Sequence, residues 1–275
     1  MVMGKRAPAP AKVNLALVVG PLRDDGKHEV LTVFQRIDLV DRIELDEAPE
    51  LRVDGFADDT LVGEALRELA RSADVEPRWR VRIEKRIPVA AGLGGGSSDA
   101  ATALRLANET LPEPLPANEL HSLAAELGAD VPFFLADGPQ LGSGDGSELE
   151  PLDLPQDFWV VILLPHGAGK TSTADVYAAF DARKDVPGFA ERRQTLLDGL
   201  AAVKRPRDLA VLPPNDLASS PLAEEIRAAG AFRADVSGAG PALYGLFHHR
   251  RDADAARRTL RGLGRTWLAA PAWYG

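Results

Sequence analysis

The stretch Pro88 to Asn108, PVAAGLGGGSSDAATALRLAN, runs Gly92, Gly94, Gly95 and Gly96 into Ser97-Ser98-Asp99 and then into a helical pattern of Ala100, Ala101, Ala103, Leu104, Leu106 and Ala107. The strand-like Val81 to Lys85 precedes it, so the local order is strand, glycine loop, helix. Residues without a Cβ let a backbone close around a bulky anion, and the free N–H groups of the next helix's first turn then point at it. The stretch reads as a phosphate cradle. It fails the dinucleotide pattern G-x-G-x-x-G, whose last position is Ser97, and it fails the P-loop pattern because no Gly-Lys-Ser/Thr follows. The alternative is an ordinary helix with Ser97 or Ser98 as its N-cap.

A second glycine run, His166-Gly167-Ala168-Gly169-Lys170-Thr171, follows Trp159 to Leu164 in the order of a P-loop. That pattern needs glycine where Leu164 stands, so a plain turn is expected.

Composition narrows the class. A chain of 275 residues holds one large domain or two modest ones, and 45% hydrophobic with 27% charged residues is ordinary for a globular protein. No apolar run approaches the ~20 residues of a membrane span. The N-terminal MVMGKRAPAPAK has no apolar core before Pro8 and Pro10, so no secretory signal is expected. The absence of cysteine excludes disulfides, thiolate metal sites and cysteine nucleophiles, and fits a reducing, cytoplasmic setting. The histidines, at 28, 121, 166, 248 and 249, lack metal-ligand spacing. A net charge of −9 argues against a nucleic-acid partner. An anionic substrate would need local basic residues and Mg²⁺.

Along the chain, Lys12 to Val19 forms a strand pattern, and Val30 to Leu39 and Arg42 to Leu45 suggest an antiparallel meander. Thr60 to Ala70 has helical spacing and Trp79 to Ile83 alternates. Prolines 112, 114 and 116 precede a helix over Asn118 to Leu127 that Gly128 stops. Gly138 to Gly146 reads as a glycine-rich connection and Pro151 to Asp157 as a linker, dividing the chain into 1–154 and 155–275. The second half reads strand (158–164), helices (173–181, 189–203, 222–229), strands (231–236, 242–247), helix (253–263) and strand (266–269), which suits a small sheet with helices on one face.

The wording Pro-x-x-x-Gly-Leu-Gly-Gly-Gly-Ser-Ser-Asp-Ala-Ala resembles the phosphate loop of the GHMP kinases. Four further segments, Pro10 to Leu15, Asp25 to Glu29, Leu127 to Phe134 and Ser237 to Pro241, extend a resemblance to the diphosphocytidyl-methylerythritol kinases of that superfamily over most of the chain. The resemblance implies an α+β, two-domain GHMP kinase fold, with an N-terminal ribosomal-protein-S5-like domain and a C-terminal ferredoxin-like α/β domain. It also implies ATP-dependent phosphorylation of the 2-hydroxyl of a cytidine diphosphate sugar alcohol in non-mevalonate isoprenoid synthesis. Homoserine, mevalonate or a sugar as acceptor, or a catalytically silent nucleotide-binding protein, are the alternatives.

Phosphoryl transfer asks for positioning, charge neutralisation and a destination for the hydroxyl proton. By the resemblance, Asp130 is the base, with Lys12 holding it ionised and bonding the attacking oxygen. On residue type alone, Asp130 could cap a helix near Val131 and Lys12 could be a solvated strand residue. ATP is expected on Lys85, Pro88, Ala90, Ala91, Gly92, Leu93, Gly94, Gly95, Gly96, Ser97 and Ser98. A helix N-terminus contributes only about 0.3–2 kcal/mol towards an anion, so Mg²⁺ is inferred, held mainly by phosphate and water with Ser97 or Ser98 as possible hydroxyl ligands. The acceptor is expected on Asn14, Lys27, His28, Phe34, Thr173 and Tyr177, with His28 at the cytosine edge and Phe34 and Tyr177 as apolar walls. Ser237 to Pro241 is either a hairpin turn or a loop closing over the site. Two positions depart from the family: Lys27 replaces a tyrosine, and Thr60 replaces an asparagine tied to adenine. Oligomeric state is not legible.

Overall fold

Two long strands open the chain in the computed structural model, which describes residues 4–56, 61–169, 172–183 and 188–272. Strand β1 (Lys5–Leu22) turns at Asp24 to Lys27, where Gly26 takes a φ of 78°, and pairs with β2 (His28–Glu47). β1 is buried without alternation from Ala9 to Gly20, as a strand covered on both faces must be. β2 is continuous, joining Val30 to Leu39 and Arg42 to Leu45, which were expected as separate strands of a meander. No glycine or proline stands at Val40-Asp41 to turn the chain, and the inward parity of Ile37, Ile43 and Leu45 runs through Asp41.

The chain forms two compact units that cut across its linear order. The first takes the chain through Ala11, Val40–Val89 and Gly94–Asp137. Within it, β3 (Arg52–Asp54) lies parallel to β4 (Trp79–Glu84), and β4 pairs antiparallel with residues 42–47 of β2. Helices α1 (Leu61–Ser72), α2 (Gly95–Asn108) and α3 (Ala117–Leu127) complete this unit with a short 3₁₀ turn, Pro132–Phe134. α1 buries Val62, Leu66 and Leu69 completely and packs against α2, which buries Ala100, Ala103 and Ala107.

The second unit takes Lys12–Leu39, Ala90–Leu93 and the chain from Gly138 onward. The expected glycine-rich connection is a hairpin, β5 (Gln140–Ser143) and β6 (Glu148–Pro151), with Gly144 and Gly146 at positive φ in its turn. β5 pairs with residues 32–34 of β2. A Cβ at Gly142 would lie 2.6 Å from the Phe34 ring, so this strand position requires glycine.

Next come β7 (Trp159–Pro165), α4 (Thr173–Asp181), α5 (Phe189–Ala202), a 3₁₀ segment (Pro206–Val211), α6 (Leu222–Ala228), β8 (Arg233–Val236), β9 (Leu243–Phe247), α7 (Arg250–Leu260) and β10 (Gly264–Ala269). The sheet order is β10-β7-β9-β8, antiparallel throughout. α6 and α7 cover one face through Ile226, Ala253 and Leu260, packed on Val161, Leu163 and Phe247, as the sequence pattern predicts. Buried Arg233 ties this sheet to the start of the unit: its guanidinium donates to the main-chain oxygens of Leu15 at 2.5 Å, Leu212 at 2.7 Å and Pro213 at 2.9 Å. Among the described residues, no helix is long and apolar enough to cross a membrane.

Candidate active site

The glycine loop connects β4 to α2. Gly94, in the left-handed region at φ 69°, is the N-cap, and α2 starts at Gly95. Ser97 and Ser98 therefore lie inside the first turn rather than capping it, which removes the plain serine-cap explanation for the loop. The first intrahelical bond runs from Ser98 N to Gly94 O at 2.9 Å, leaving the N–H groups of Gly95, Gly96 and Ser97 ahead of the helical ladder. Gly96 is exposed, and a Cβ added there meets nothing within 4 Å. Ser98 is fully buried, yet its Oγ has no hydrogen-bond partner. Ahead of the helix, Pro88 is half-buried, Ala90 is exposed at φ 54°, and Ala91 and Leu93 are buried.

Lys85 sits beneath this turn between two carboxylates, 2.5 Å from Asp41 Oδ2 and 2.7 Å from Asp99 Oδ2. Burial, together with the neighbouring Asp41, pushes the Asp99 carboxyl up to about 7 against the pull of the Lys85 ammonium. Burial alone would lower Lys85, but Asp99 and Asp41 outweigh it and hold the ammonium above its ordinary value. Sequence reasoning missed Asp41. Its signal was a charged residue at an inward position of an alternating strand.

In the second unit, Lys12 is 3% exposed and its ammonium donates to Asn14 Oδ1 at 2.7 Å. Asn14 donates to Thr32 Oγ1 at 2.8 Å, and Thr32 donates to Ala16 O at 2.9 Å. This relay fixes which way the Asn14 amide points, and so where the ammonium is held. The Phe34 ring, 1% exposed, lies 5.6 Å from Lys12 Nζ and is a floor rather than an exposed stacking wall.

Residues 237–241 connect β8 to β9 and also clasp part of the glycine loop within the same unit. Ser237 Oγ donates to Gly92 O at 2.9 Å, Ala242 N donates to Ala91 O at 3.1 Å, and Lys12 N donates to Leu93 O at 2.9 Å. A Cβ on Gly238 would stand 3.3 Å from both Lys12 Nζ and Asn14 Oδ1. The segment is thus a connection between β8 and β9 that also bonds to the glycine loop. Asn215, which sequence reasoning also missed, shapes it by donating to Val236 O at 3.1 Å and Gly238 O at 2.7 Å.

His28 borders a cleft of about 310 Å³ with Gly20, Phe180, Asp181, Arg183 and Arg192. Its Nδ1 is 2.9 Å from Gly20 O and its Nε2 is 3.4 Å from Asp181, while its ring stacks on Tyr177 at 5.0 Å and 22°. Thr173 is exposed at the start of α4, whose N-cap Ser172 accepts from Asp175 N at 3.0 Å. Lys27 is exposed and pairs with Asp145 at 2.5 Å. Asp130 is half-buried in the turn after α3, in the first unit. Thr60 lies outside the described residues.

Residues 60–138 match the family model described as GHMP kinases N terminal domain, and residues 209–266 match GHMP kinases C terminal. The 4-diphosphocytidyl-2-C-methyl-D-erythritol kinase of Geobacter sulfurreducens is 39% identical, with 95% of this chain and 96% of that protein covered. The enzyme of the same name from Bacillus mycoides is 34% identical, at 88% and 87% coverage. A crystal structure of a 4-(cytidine 5'-diphospho)-2C-methyl-D-erythritol kinase superposes with a TM-score of 0.78 at 33% identity, covering 98% of this chain and 100% of the other. A homoserine kinase from Cytophaga hutchinsonii shares the fold alone, with a TM-score of 0.77 at 16% identity, covering 100% of this chain and 97% of that one.

Proposed function

This chain belongs to the 4-diphosphocytidyl-2-C-methyl-D-erythritol kinases of the GHMP family, and from that premise we propose how its residues carry the reaction. The protein is an ATP-dependent kinase of isoprenoid synthesis. The 2-hydroxyl oxygen of the cytidine diphosphate alcohol forms a bond to the γ-phosphorus, the bond between that phosphorus and the β,γ-bridging oxygen breaks, and ADP leaves. Asp130 takes the hydroxyl proton. Lys12 steadies the charge on the attacking oxygen and on the base.

The observation that carries this reading is the buried Lys12 ammonium, fixed through Asn14 and Thr32 beside the turn that clasps the glycine loop. A burial this complete costs a lysine much of its hydration, and a surface role does not require it. The free N–H groups at the start of α2 and the open space over Gly96 suit the triphosphate.

Mg²⁺ belongs to the same reading. Such an ion is bound mostly by phosphate oxygens and water, so it needs few protein ligands. The orphaned Ser98 Oγ is the protein donor that fits, with Ser97 beside it. When bound, the ion neutralises charge on the phosphates. On the acceptor side, His28, Tyr177 and Thr173 border the base, Lys27 stands where a phosphate contact would replace stacking, and Asn14 bonds the alcohol. The division at residues 154 and 155 belongs to this reading too, with the ATP loop in the first part.

An ADP-release assay with 4-diphosphocytidyl-2-C-methyl-D-erythritol, homoserine and mevalonate tests the assignment. Turnover is expected with the first alone. Equal or faster turnover of either other alcohol would overturn the acceptor, and ATP binding without turnover of any would point to a silent binding protein.

A further inference from the structure

Residues Lys85 to Ile87 leave β4 and lead into the glycine loop without a strand partner of their own, so the backbone N–H groups of Arg86 and Ile87 must be satisfied elsewhere. Asp41 does this from β2, and its side chain is completely buried. Its Oδ1 accepts from the N–H of Arg86 and, at 2.8 Å, from that of Ile87, while its Oδ2 accepts from Lys85 Nζ. The same ammonium reaches across to Asp99 in α2. Strand end and helix start are thereby joined through two carboxylates and one lysine.

The close fit of Gly95 shows how little slack remains. A Cβ there would stand 3.0 Å from Ile87 Cγ2 and 3.3 Å from Lys85 Nζ. The electrostatics run against a merely favourable placement for an anion site, because two carboxylates share one ammonium next to a helix start expected to receive phosphate. Negative charge there opposes the ligand unless it fixes something the ligand needs.

We propose that Asp41 is a positioning residue for ATP: it sets the spacing between the strand end at Lys85 to Ile87 and the first turn of α2, and so holds the phosphate-facing N–H groups in register. The proposal rests on the reading that ATP occupies the glycine loop. Asp41 is completely buried, so its role is to act beneath the cradle rather than by contact with nucleotide or acceptor. It acts through the backbone of residues 86 and 87 and through Lys85, and a cradle misplaced by even about 1 Å loses much of its effect.

The test uses the full chain with Asp41→Asn and Asp99→Ala, the latter severing only the tie to α2. Three readouts are taken: calorimetric titration with a nonhydrolysable ATP analogue and Mg²⁺, separate KM values for ATP and for the cytidine alcohol, and thermal melting. Asp41→Asn is expected to weaken nucleotide binding and raise the ATP KM about tenfold or more, as loss of a charge-assisted clamp should, while the acceptor KM stays within about twofold. For Asp99→Ala a rise of about threefold in the ATP values is expected, since the strand-end bonds to Asp41 survive. A folded Asp41→Asn protein with parental nucleotide affinity, or an equal rise in both KM values, overturns the proposal. If Asp41→Asn does not fold, Asp41→Glu carries the same expectation and the same refutation. The titration does not depend on the acceptor: weakened nucleotide binding with no turnover of the cytidine alcohol supports the role of Asp41 while faulting the acceptor assignment.

Discussion

The Ser237 hydroxyl donates to the Gly92 carbonyl at 2.9 Å across 145 residues of sequence, so the turn between β8 and β9 and the first half of the glycine loop are held as one piece. Gly240 packs into the same contact, and a Cβ there would fall 2.1 Å from Gly92 N and 2.3 Å from Ala91 O. These are backbone atoms that cannot rotate away. Gly240→Ala should therefore destabilise the protein by more than about 2 kcal/mol in denaturant melts, and Ser237→Ala by about 1 kcal/mol. Parental stability of Gly240→Ala would show that the contact is not maintained in solution.

Gly96 presents the opposite case, with open space where its side chain would be. Gly96→Ala should leave stability unchanged or raise it by up to about 1 kcal/mol, because alanine is the better helix residue. Its ATP KM should nevertheless rise about tenfold or more as the methyl enters the phosphate space. A stable variant with parental ATP KM would mean that the space is only solvent.

Lys12→Ala and Asp130→Asn should each lower kcat by about 10²–10⁴-fold, the usual scale for removing a proton-transfer group or its partner. Steady-state rates at saturating ATP and acceptor check this. Near-parental rates for both would end the catalytic assignment.

Tyr177 stacks on His28 beside the cleft. Tyr177→Ala should raise the acceptor KM about fivefold to fiftyfold and leave the ATP KM within about twofold, the scale of a lost aromatic contact. A shift in the ATP KM alone would remove α4 from the acceptor side.

Burial and the neighbouring Asp41 push the Asp99 carboxyl from its ordinary 3.8 up to about 7. The sign follows from linkage: a raised carboxyl contributes stability that is fully present below the ordinary value and is lost as pH rises through the folded value. Asp99→Asn imitates the neutral form, and the partnerless Oδ1 leaves room for the amide nitrogen. Without nucleotide or divalent cation, the variant should gain on the parent from pH 5 to pH 8 by on the order of a few kcal/mol. A pH-independent difference in melting temperature would refute this.

Local signals carried much of the architecture. The glycine loop, the periodic face of α1 and the Gly128 stop after α3 are all written within a dozen residues, and helix boundaries there agree closely with the structure. β2 was misread because Asp41 breaks an apolar run, and one strand cannot reveal that a distant ammonium and two N–H groups satisfy that carboxylate. The β5–β6 hairpin was hidden because Gly142, Gly144 and Gly146 look like flexible connection, although the first is demanded by the Phe34 ring. Lys12 and Asn14 were legible as types two residues apart, but Thr32 and Gly238 complete their setting from far along the chain.

The bond from Arg233 to Leu15 also bears on how the polypeptide is made. Synthesis runs from the amino terminus, and residues 12–39 must wait for Arg233, 218 residues after Leu15, before their unit can close. Such late pairing favours slow maturation and a nascent chain whose greasy first strand needs shielding in the meantime. Expression yield should accordingly respond more to chaperone supply during translation than to trimming of surface loops.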